Sequence, residues 1–163
     1  MQYSDEFYQK LNKYLDIRGS FLKIYDSKLL LKLEKISEVF LTCSKRETLR
    51  GMHFQRSPYE INRIVTCLKG KVLDVVVNIN PQSPDFKKVN YKILKENESI
   101  FIPKDNAHGY YTIEDCEMLY LTDNLYSKEY EDGILWKSIN FEWPNSSPIL
   151  SERDKSFKDI NKL

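Results

Sequence analysis

The chain has only two histidines, His53 and His108, and each sits where proton chemistry is possible. The first lies in Leu49-Arg50-Gly51-Met52-His53-Phe54-Gln55, which gathers a cation, an imidazole and an amide around a glycine. If residues 52–55 are extended, His53 and Gln55 share a face. An imidazole beside an amide on a concave face could bind or deprotonate a polar ligand; a solvated strand with a satisfied histidine is the plainer alternative. The second lies in Ile102-Pro103-Lys104-Asp105-Asn106-Ala107-His108-Gly109-Tyr110, a polar loop that delivers a histidine beside a glycine. A loop histidine bonded to backbone would read the same way. Asp74 interrupts an apolar run, where a carboxylate is costly unless it is paired or faces a wet cavity. A histidine or arginine is its natural partner, and a solvent-facing strand position is the alternative. Tyr120 is either a packed aromatic with a tied hydroxyl or a proton donor.

Several chemistries lack their residues. There is no His-x-His or His-x-x-x-His spacing, so no metal is expected. There is no G-x-S-x-G, no cysteine next to a histidine, no G-x-G-x-x-G and no P-loop. Nucleophilic, redox-cofactor and phosphoryl-transfer mechanisms therefore start without support. Acid–base chemistry without a cofactor remains. A neutral histidine takes a proton, and a carboxylate behind it fixes the tautomer and stabilises the imidazolium. Arg50 or Arg63 could hold a developing enolate oxygen. A tyrosine could return a proton from the opposite face. Those parts make an epimerase or isomerase that works next to a carbonyl.

The elements that must position these groups read mostly as strands. Lys71–Asn80 alternates, with Leu73, Val75, Val77 and Ile79 on one face and Val72, Asp74, Val76 and Asn78 on the other. Two prolines, Pro81 and Pro84, end it. Further strands are expected at Ser20–Tyr25, Glu38–Thr42, Ile61–Leu68, Val89–Leu94, Ser99–Ile102, Gly109–Ile113 and Glu117–Thr122. Short helices are expected at residues 3–15, where Phe7, Leu11, Tyr14 and Leu15 recur at helical spacing, and at Ser27–Leu33. Short strands broken by turns every ~8–12 residues predict an all-β sandwich or barrel.

Composition bounds the rest. The 163 residues suit a single domain, with no repeat or linker to mark a second. Lys and Arg number 25 against 24 Asp and Glu, a net charge of +1, which argues against a nucleic-acid partner. No stretch approaches a membrane span, and Met1–Lys10 has no apolar core of a secretory signal. Three cysteines with no C-x-x-C spacing predict free thiols, each packed in the interior, in a cytoplasmic protein.

The histidine segment resembles the L-R-G-(L/M)-H-(F/Y)-Q signature of the dTDP-4-dehydrorhamnose 3,5-epimerase family, and the likeness continues in order from residue 16 to residue 154. Asp16-Ile17-Arg18-Gly19 resembles an early D-x-R-G. Lys71–Asn80 followed by Ser83-Pro84 resembles D-V-x-V-D and S-P-T-F. Ile102-Pro103 with Ala107-His108-Gly109-Tyr110 resembles I-P-x-G-x-A-H-G-F. Tyr120 through Tyr126-Ser127 resembles Y-x-x-x-x-Y-Y-x-P. Gly133-Ile134-Leu135-Trp136, Glu142-Trp143-Pro144 and Leu150-Ser151-Glu152-Arg153-Asp154 resemble G-I-x-W-N-D, W-P and L-S-x-K-D.

The resemblance implies a cupin-type jelly roll that dimerises with exchanged strands, uses no metal or cofactor, and epimerises a nucleotide-linked 4-keto-6-deoxy sugar at C3, C5 or both. It implies His53 as general base, Asp154 as its dyad partner and Tyr120 as the acid on the opposite face. His108 and Asp74 would shape the same pocket, and Arg50 would contact sugar or diphosphate. Arg18 would contact diphosphate or a partner subunit, with Gln55, Phe21 and Tyr126 also on the substrate.

Departures cluster on the nucleotide side. Arg63 stands where the family has lysine, and keeps the charge with a different donor fork. Leu125-Tyr126 replaces a tandem tyrosine, Ser20-Phe21-Leu22-Lys23 replaces F-F-x-E, Phe40-Leu41-Thr42 replaces Q-x-N, and Asn78 replaces an aspartate. This pattern leads to the expectation that proton chemistry is kept while the nucleotide or sugar differs. A related ketoisomerase and a non-catalytic sugar-nucleotide-binding cupin are the alternative readings.

Overall fold

The computed structural model describes residues 7–25 and 33–163. In chain order its strands are β1 (Tyr8–Lys10), β2 (Lys13–Asp16), β3 (Gly19–Leu22), β4 (Glu38–Ser44), β5 (Leu49–Gln55), β6 (Arg63–Lys69), β7 (Lys71–Asn78), β8 (Val89–Lys95), β9 (Glu98–Ile102), β10 (Asn106–Thr112), β11 (Cys116–Thr122) and β12 (Glu131–Gly133), followed by a one-turn helix α1 (Glu152–Lys155). They form the expected all-β, cupin-type jelly roll. One five-stranded sheet is ordered β1-β9-β6-β11-β4 and the other β12-β5-β10-β7-β8, while β2 and β3 make a separate hairpin. Among the described residues no helix is long and apolar enough to cross a membrane.

The alternation in β7 explains the layering. Residues 72–77 are all buried, so both faces of this strand are covered. Val72 and Val76 point between the sheets and pack with Val65, Ile100, Met118 and Tyr110. Leu73, Val75 and Val77 point the other way, onto Ile134, Trp136, Ile139 and Ile160 of the C-terminal segment. Each such buried side chain contributes roughly 1.5–3 kcal/mol. The second sheet is thus the middle layer, with the first sheet on one side and a C-terminal strap on the other.

The expected helix at residues 3–15 does not form over its described part. Tyr8–Lys10 pairs with Glu98–Ile100 of β9, and Lys13–Asp16 pairs with Gly19–Leu22. The open edge of β9 gives this backbone hydrogen-bond partners that a short, weakly amphipathic helix would have to supply itself. The expected helix at Ser27–Leu33 falls almost wholly outside the described residues. Cysteine burial holds for Cys67 and Cys116 but not for Cys43, which is exposed. Cys43 lies on β4, the edge strand of its sheet, on the same face as the exposed Val39 and Leu41. Burial pushes the thiols of Cys67 and Cys116 up to about 12 and about 11, so both stay protonated and inert.

One close approach sets the site strands against each other. His108 on β10 faces His53 on β5, and the register shifts between His108 and Tyr110. That irregularity brings Gly109 against Gly51, whose φ is +134°. A Cβ on Gly51 would lie 2.5 Å from the Gly109 Cα and 3.0 Å from the His108 carbonyl oxygen. Gly51→Ala combines backbone strain with a backbone clash, and a loss of about 2–4 kcal/mol in urea-denaturation stability is expected. A change below the noise of that measurement would show that the two strands are free to separate.

Candidate active site

Between the two sheets lies a cavity of about 230 Å³. The first sheet contributes Phe40 from β4, Arg63 from β6 and Tyr120 from β11. The second contributes Arg50, His53 and Gln55 from β5 and His108 from β10. Alternation places most of them there. Arg50 and His53, three residues apart on β5, share the inward face because the β5–β10 register shifts between them.

His53 is tied to Asp154. Its Nε2 lies 2.9 Å from Asp154 Oδ1, with the imidazole partly exposed and the carboxylate buried. Asp154 reaches it from α1, which begins where the Ser151 hydroxyl accepts from the Asp154 N–H. The other oxygen, Oδ2, accepts the Gly51 N–H at 3.1 Å. Burial alone would push this carboxyl up. The His53 hydrogen bond and charge, with the bonds from Gly51 and Ser151, outweigh it and hold the group at about 2. Asp154 is therefore an anion at neutral pH. If the ring donates to it from Nε2, Nδ1 keeps a lone pair and is the basic atom.

A second pair lies beside the first. His108 Nε2 is 2.8 Å from Asp74 Oδ2, and both residues are buried. This is the partnership that the isolated Asp74 required. Its Oδ1 and the Nε of Arg63 are both buried without a hydrogen-bond partner among the described residues. Such groups are costly unless something that enters the site satisfies them. Burial lowers the Arg63 guanidinium from its usual range, and the neighbouring Tyr120 and Asp74 oppose that.

Tyr120 faces these groups from the other sheet. It stacks on Phe40 with ring centroids 4.7 Å apart and meets His108 edge-on at 6.3 Å. Burial raises its hydroxyl well above the ordinary tyrosine value, with Tyr110 and Asp74 adding to the effect. The phenol is thus held protonated, as a proton donor must be.

Polar side chains edge the rest of the cavity. Tyr126 lines it and donates its hydroxyl to Glu131 Oε2 at 2.9 Å. Gln55 uses its amide on backbone: Nε2 donates to the carbonyls of Tyr59 and Leu125, and Oε1 accepts the Ser127 N–H. Arg50 donates to Ser44 Oγ and the Cys43 carbonyl. Arg18 and Phe21 are not brought to the cavity. They sit on the β2–β3 hairpin, where Arg18 binds Asp16 and Phe21 is exposed.

Phe40, Glu131 and Arg153 also line the cavity without standing among the expected site residues, although Phe40 belongs to a segment that departs from the family pattern. Phe40 was detectable as the inward partner of Thr42 on an alternating strand. Arg153 adjoins Asp154 and carried a signal by adjacency alone. Glu131 carried none.

Comparison with known proteins agrees with the geometry. Residues 2–162 match the family model described as dTDP-4-dehydrorhamnose 3,5-epimerase. A Shigella flexneri protein of that name is 40% identical over 149 residues, covering 85% of this chain and 82% of the relative. The crystal structure of dTDP-4-dehydrorhamnose 3,5-epimerase from Sulfolobus tokodaii superposes with a TM-score of 0.88 at 30% identity, over 95% of this chain and 90% of that one. A Legionella pneumophila dTDP-6-deoxy-D-glucose-3,5-epimerase, solved in complex with dTDP-4-keto-L-rhamnose, gives 0.87 at 28% identity, over 94% and 87%.

The lowered Asp154 carboxyl makes a prediction about stability. Its folded value of about 2 lies below the ordinary value of 3.8. The stabilisation is therefore complete above the ordinary value and is lost as pH falls towards about 2. Asp154→Asn should cost about 1–2 kcal/mol at neutral pH. The gap from wild type should close as pH is lowered through that window, measured by chemical denaturation. A gap that stays constant with pH would mean that the carboxylate charge contributes nothing.

Proposed function

The chain belongs to the dTDP-4-dehydrorhamnose 3,5-epimerase family, and on that premise we propose how its cavity works. The protein is a nucleotide-sugar epimerase of deoxysugar biosynthesis. The substrate is a dTDP-linked 4-keto-6-deoxy sugar, whose C3 and C5 both flank the ketone. A proton on either carbon is removable because the electrons left behind delocalise onto the C4 oxygen as an enolate. His53 takes that proton, and Asp154 stabilises the imidazolium that forms. The Arg63 Nε–H, without a hydrogen-bond partner among the described residues, is the donor for the enolate oxygen. Tyr120 returns a proton to the opposite face of the ring, which inverts the carbon. His108 and Asp74 hold the sugar, Arg50 meets the diphosphate, and Tyr126 meets the base. The observation that carries this reading is His53 on one sheet, backed by Asp154 of α1, across the cavity from a protonated Tyr120 on the other sheet.

Arg63 apart, the departures from the family pattern touch the base side of the site and leave His53, Asp154 and Tyr120 in place. Relatives at 37–40% identity still carry the dTDP name, and dTDP is the carrier we assign. Residues 1–163 act as one domain, and the free thiols suit the cytoplasm, where nucleotide sugars are made.

The working unit is a homodimer. Val39 and Leu41 lie on an edge strand with side chains 58% and 49% exposed, and the hairpin presents Leu15 at 78% and Phe21 at 61%. An apolar edge of that kind is a liability in a monomer. A second copy would cover it and bring Arg18 and Phe21 to the neighbouring cavity. Leu41→Asp should shift the mass seen by analytical ultracentrifugation to that of one chain. A wild-type protein that sediments as a monomer would remove the dimer from this account.

Incubation with dTDP-4-keto-6-deoxyglucose in heavy water tests the chemistry. Deuterium is expected at both C3 and C5. His53→Ala should slow incorporation by about 10²–10⁴-fold. Tyr120→Phe should still exchange protons but yield little inverted sugar. Undiminished exchange in His53→Ala would show that another group is the base.

A further inference from the structure

The Arg153 guanidinium touches three groups at once. Nη1 donates to Glu131 Oε2 at 2.6 Å, and Nε donates to Asp154 Oδ1 at 3.3 Å. Nη2 lies 3.1 Å from His53 Nε2. The third contact conflicts with the dyad. In a neutral imidazole, Nε2 carries either a hydrogen or a lone pair. With the hydrogen it donates to Asp154 at 2.9 Å and can accept nothing from Arg153. With the lone pair it accepts from Arg153 and faces the carboxylate with no proton between them. Both contacts are within bonding range, so two tautomers compete for one nitrogen.

We propose that Arg153 is a positioning residue that controls the tautomer of His53, and that the diphosphate of the substrate draws it off to arm the base. This rests on the epimerase reading above. While Arg153 holds Nε2, the ring proton sits on Nδ1, and neither nitrogen is free to take a proton from carbon. Once Arg153 leaves, Nε2–H turns to Asp154 and Nδ1 exposes its lone pair. The ring proton moves between nitrogens through water, and the net charge is unchanged.

Two features give the anion access to Arg153. Arg50 and Arg153 flank His53, and all three also line an adjoining cavity of about 470 Å³ that continues past Lys45 and Ser151. A diphosphate beside His53 would thus meet cations on both sides and compete with Glu131, His53 and Asp154 for the guanidinium. Phe157 meets the His53 ring edge-on at 5.6 Å and lies 5.9 Å from the Arg153 guanidinium carbon. It braces the imidazole while the guanidinium moves. The switch ties proton abstraction to the presence of a charged carrier, so a free keto sugar would meet an unarmed base.

With two histidines in the chain, ¹⁵N spectra of histidine-labelled protein resolve both rings, and a His108→Asn variant assigns them. At about pH 8, above the ordinary range of imidazole, free wild-type protein should show a population of His53 protonated on Nδ1. Saturating dTDP should convert it to the Nε2–H form, and so should Arg153→Met without nucleotide. Arg153→Met should raise KM about tenfold while kcat stays within about threefold, a split that loss of folding would not give. Arg153→Lys, which keeps the charge without the fork, should show the Nε2–H form and recover part of KM. His53 found only as Nε2–H in the free wild type, or a tautomer mixture unmoved by bound dTDP, overturns the proposal. Failure of the epimerase reading looks different: dTDP would shift neither ring, no deuterium would enter the sugar, and the switch would fall with it.

Discussion

The contact between His53 and Asp154 is the constraint on which the rest of the architecture converges. An imidazole on a strand can rotate, and its useful nitrogen is undefined until something takes the other one. Asp154 does this from a helix one turn long, too short to hold its own shape in water. It is held instead by docking. Ile149 exchanges backbone hydrogen bonds with Glu47 and Leu49, and the Leu135 N–H donates to Lys158. Ile134, Trp136, Ile139 and Ile160 press the strap onto the outer face of the β5-containing sheet. The apolar burial on that face is thus what places a carboxylate behind a histidine 101 residues earlier in the chain.

The same sheet separates two tasks by side-chain parity. Along β7, odd positions hold the strap and even positions point between the sheets, where Asp74 pairs with His108. Along β5, Gly51 faces Gly109 closely enough to exclude any side chain. The two histidines consequently sit opposite each other on adjacent strands, each with its own carboxylate. The facing sheet adds the aromatic stack of Phe40 on Tyr120. Its burial keeps the phenol protonated, and the hydrogen bond to His53 keeps the Asp154 carboxylate charged. Acid and base are thus set by opposite environments a few side chains apart.

Much of this was legible in the sequence. The alternation of residues 71–80 and the short strands broken by turns marked an all-β fold, and the expense of Asp74 in an apolar run pointed to a histidine or arginine partner. The N-terminus was misread because Phe7, Leu11 and Tyr14 mimic a helical stripe, while the deciding factor was the free edge of β9, a tertiary fact that local spacing does not carry. Asp154 could not be paired with His53 by spacing; only the ordered motif resemblance suggested it. Cys43 looked like core because its type favours burial, yet an edge strand has an outward face. Arg153 went unnoticed because its role comes from where a one-turn helix docks.

Gln55 sits at the end of β5 and spends its amide on three stretches of backbone, at Tyr59, Leu125 and Ser127. None of these bonds depends on which side chains those residues carry. The loops that frame the cavity are therefore anchored through atoms that every residue type except proline at position 127 provides. Their side chains are left free to drift without loosening the frame. A departure such as Leu125 in place of a tyrosine can then accumulate at little structural cost, and a scaffold held this way can explore new cargo at its rim while its proton chemistry stays in place.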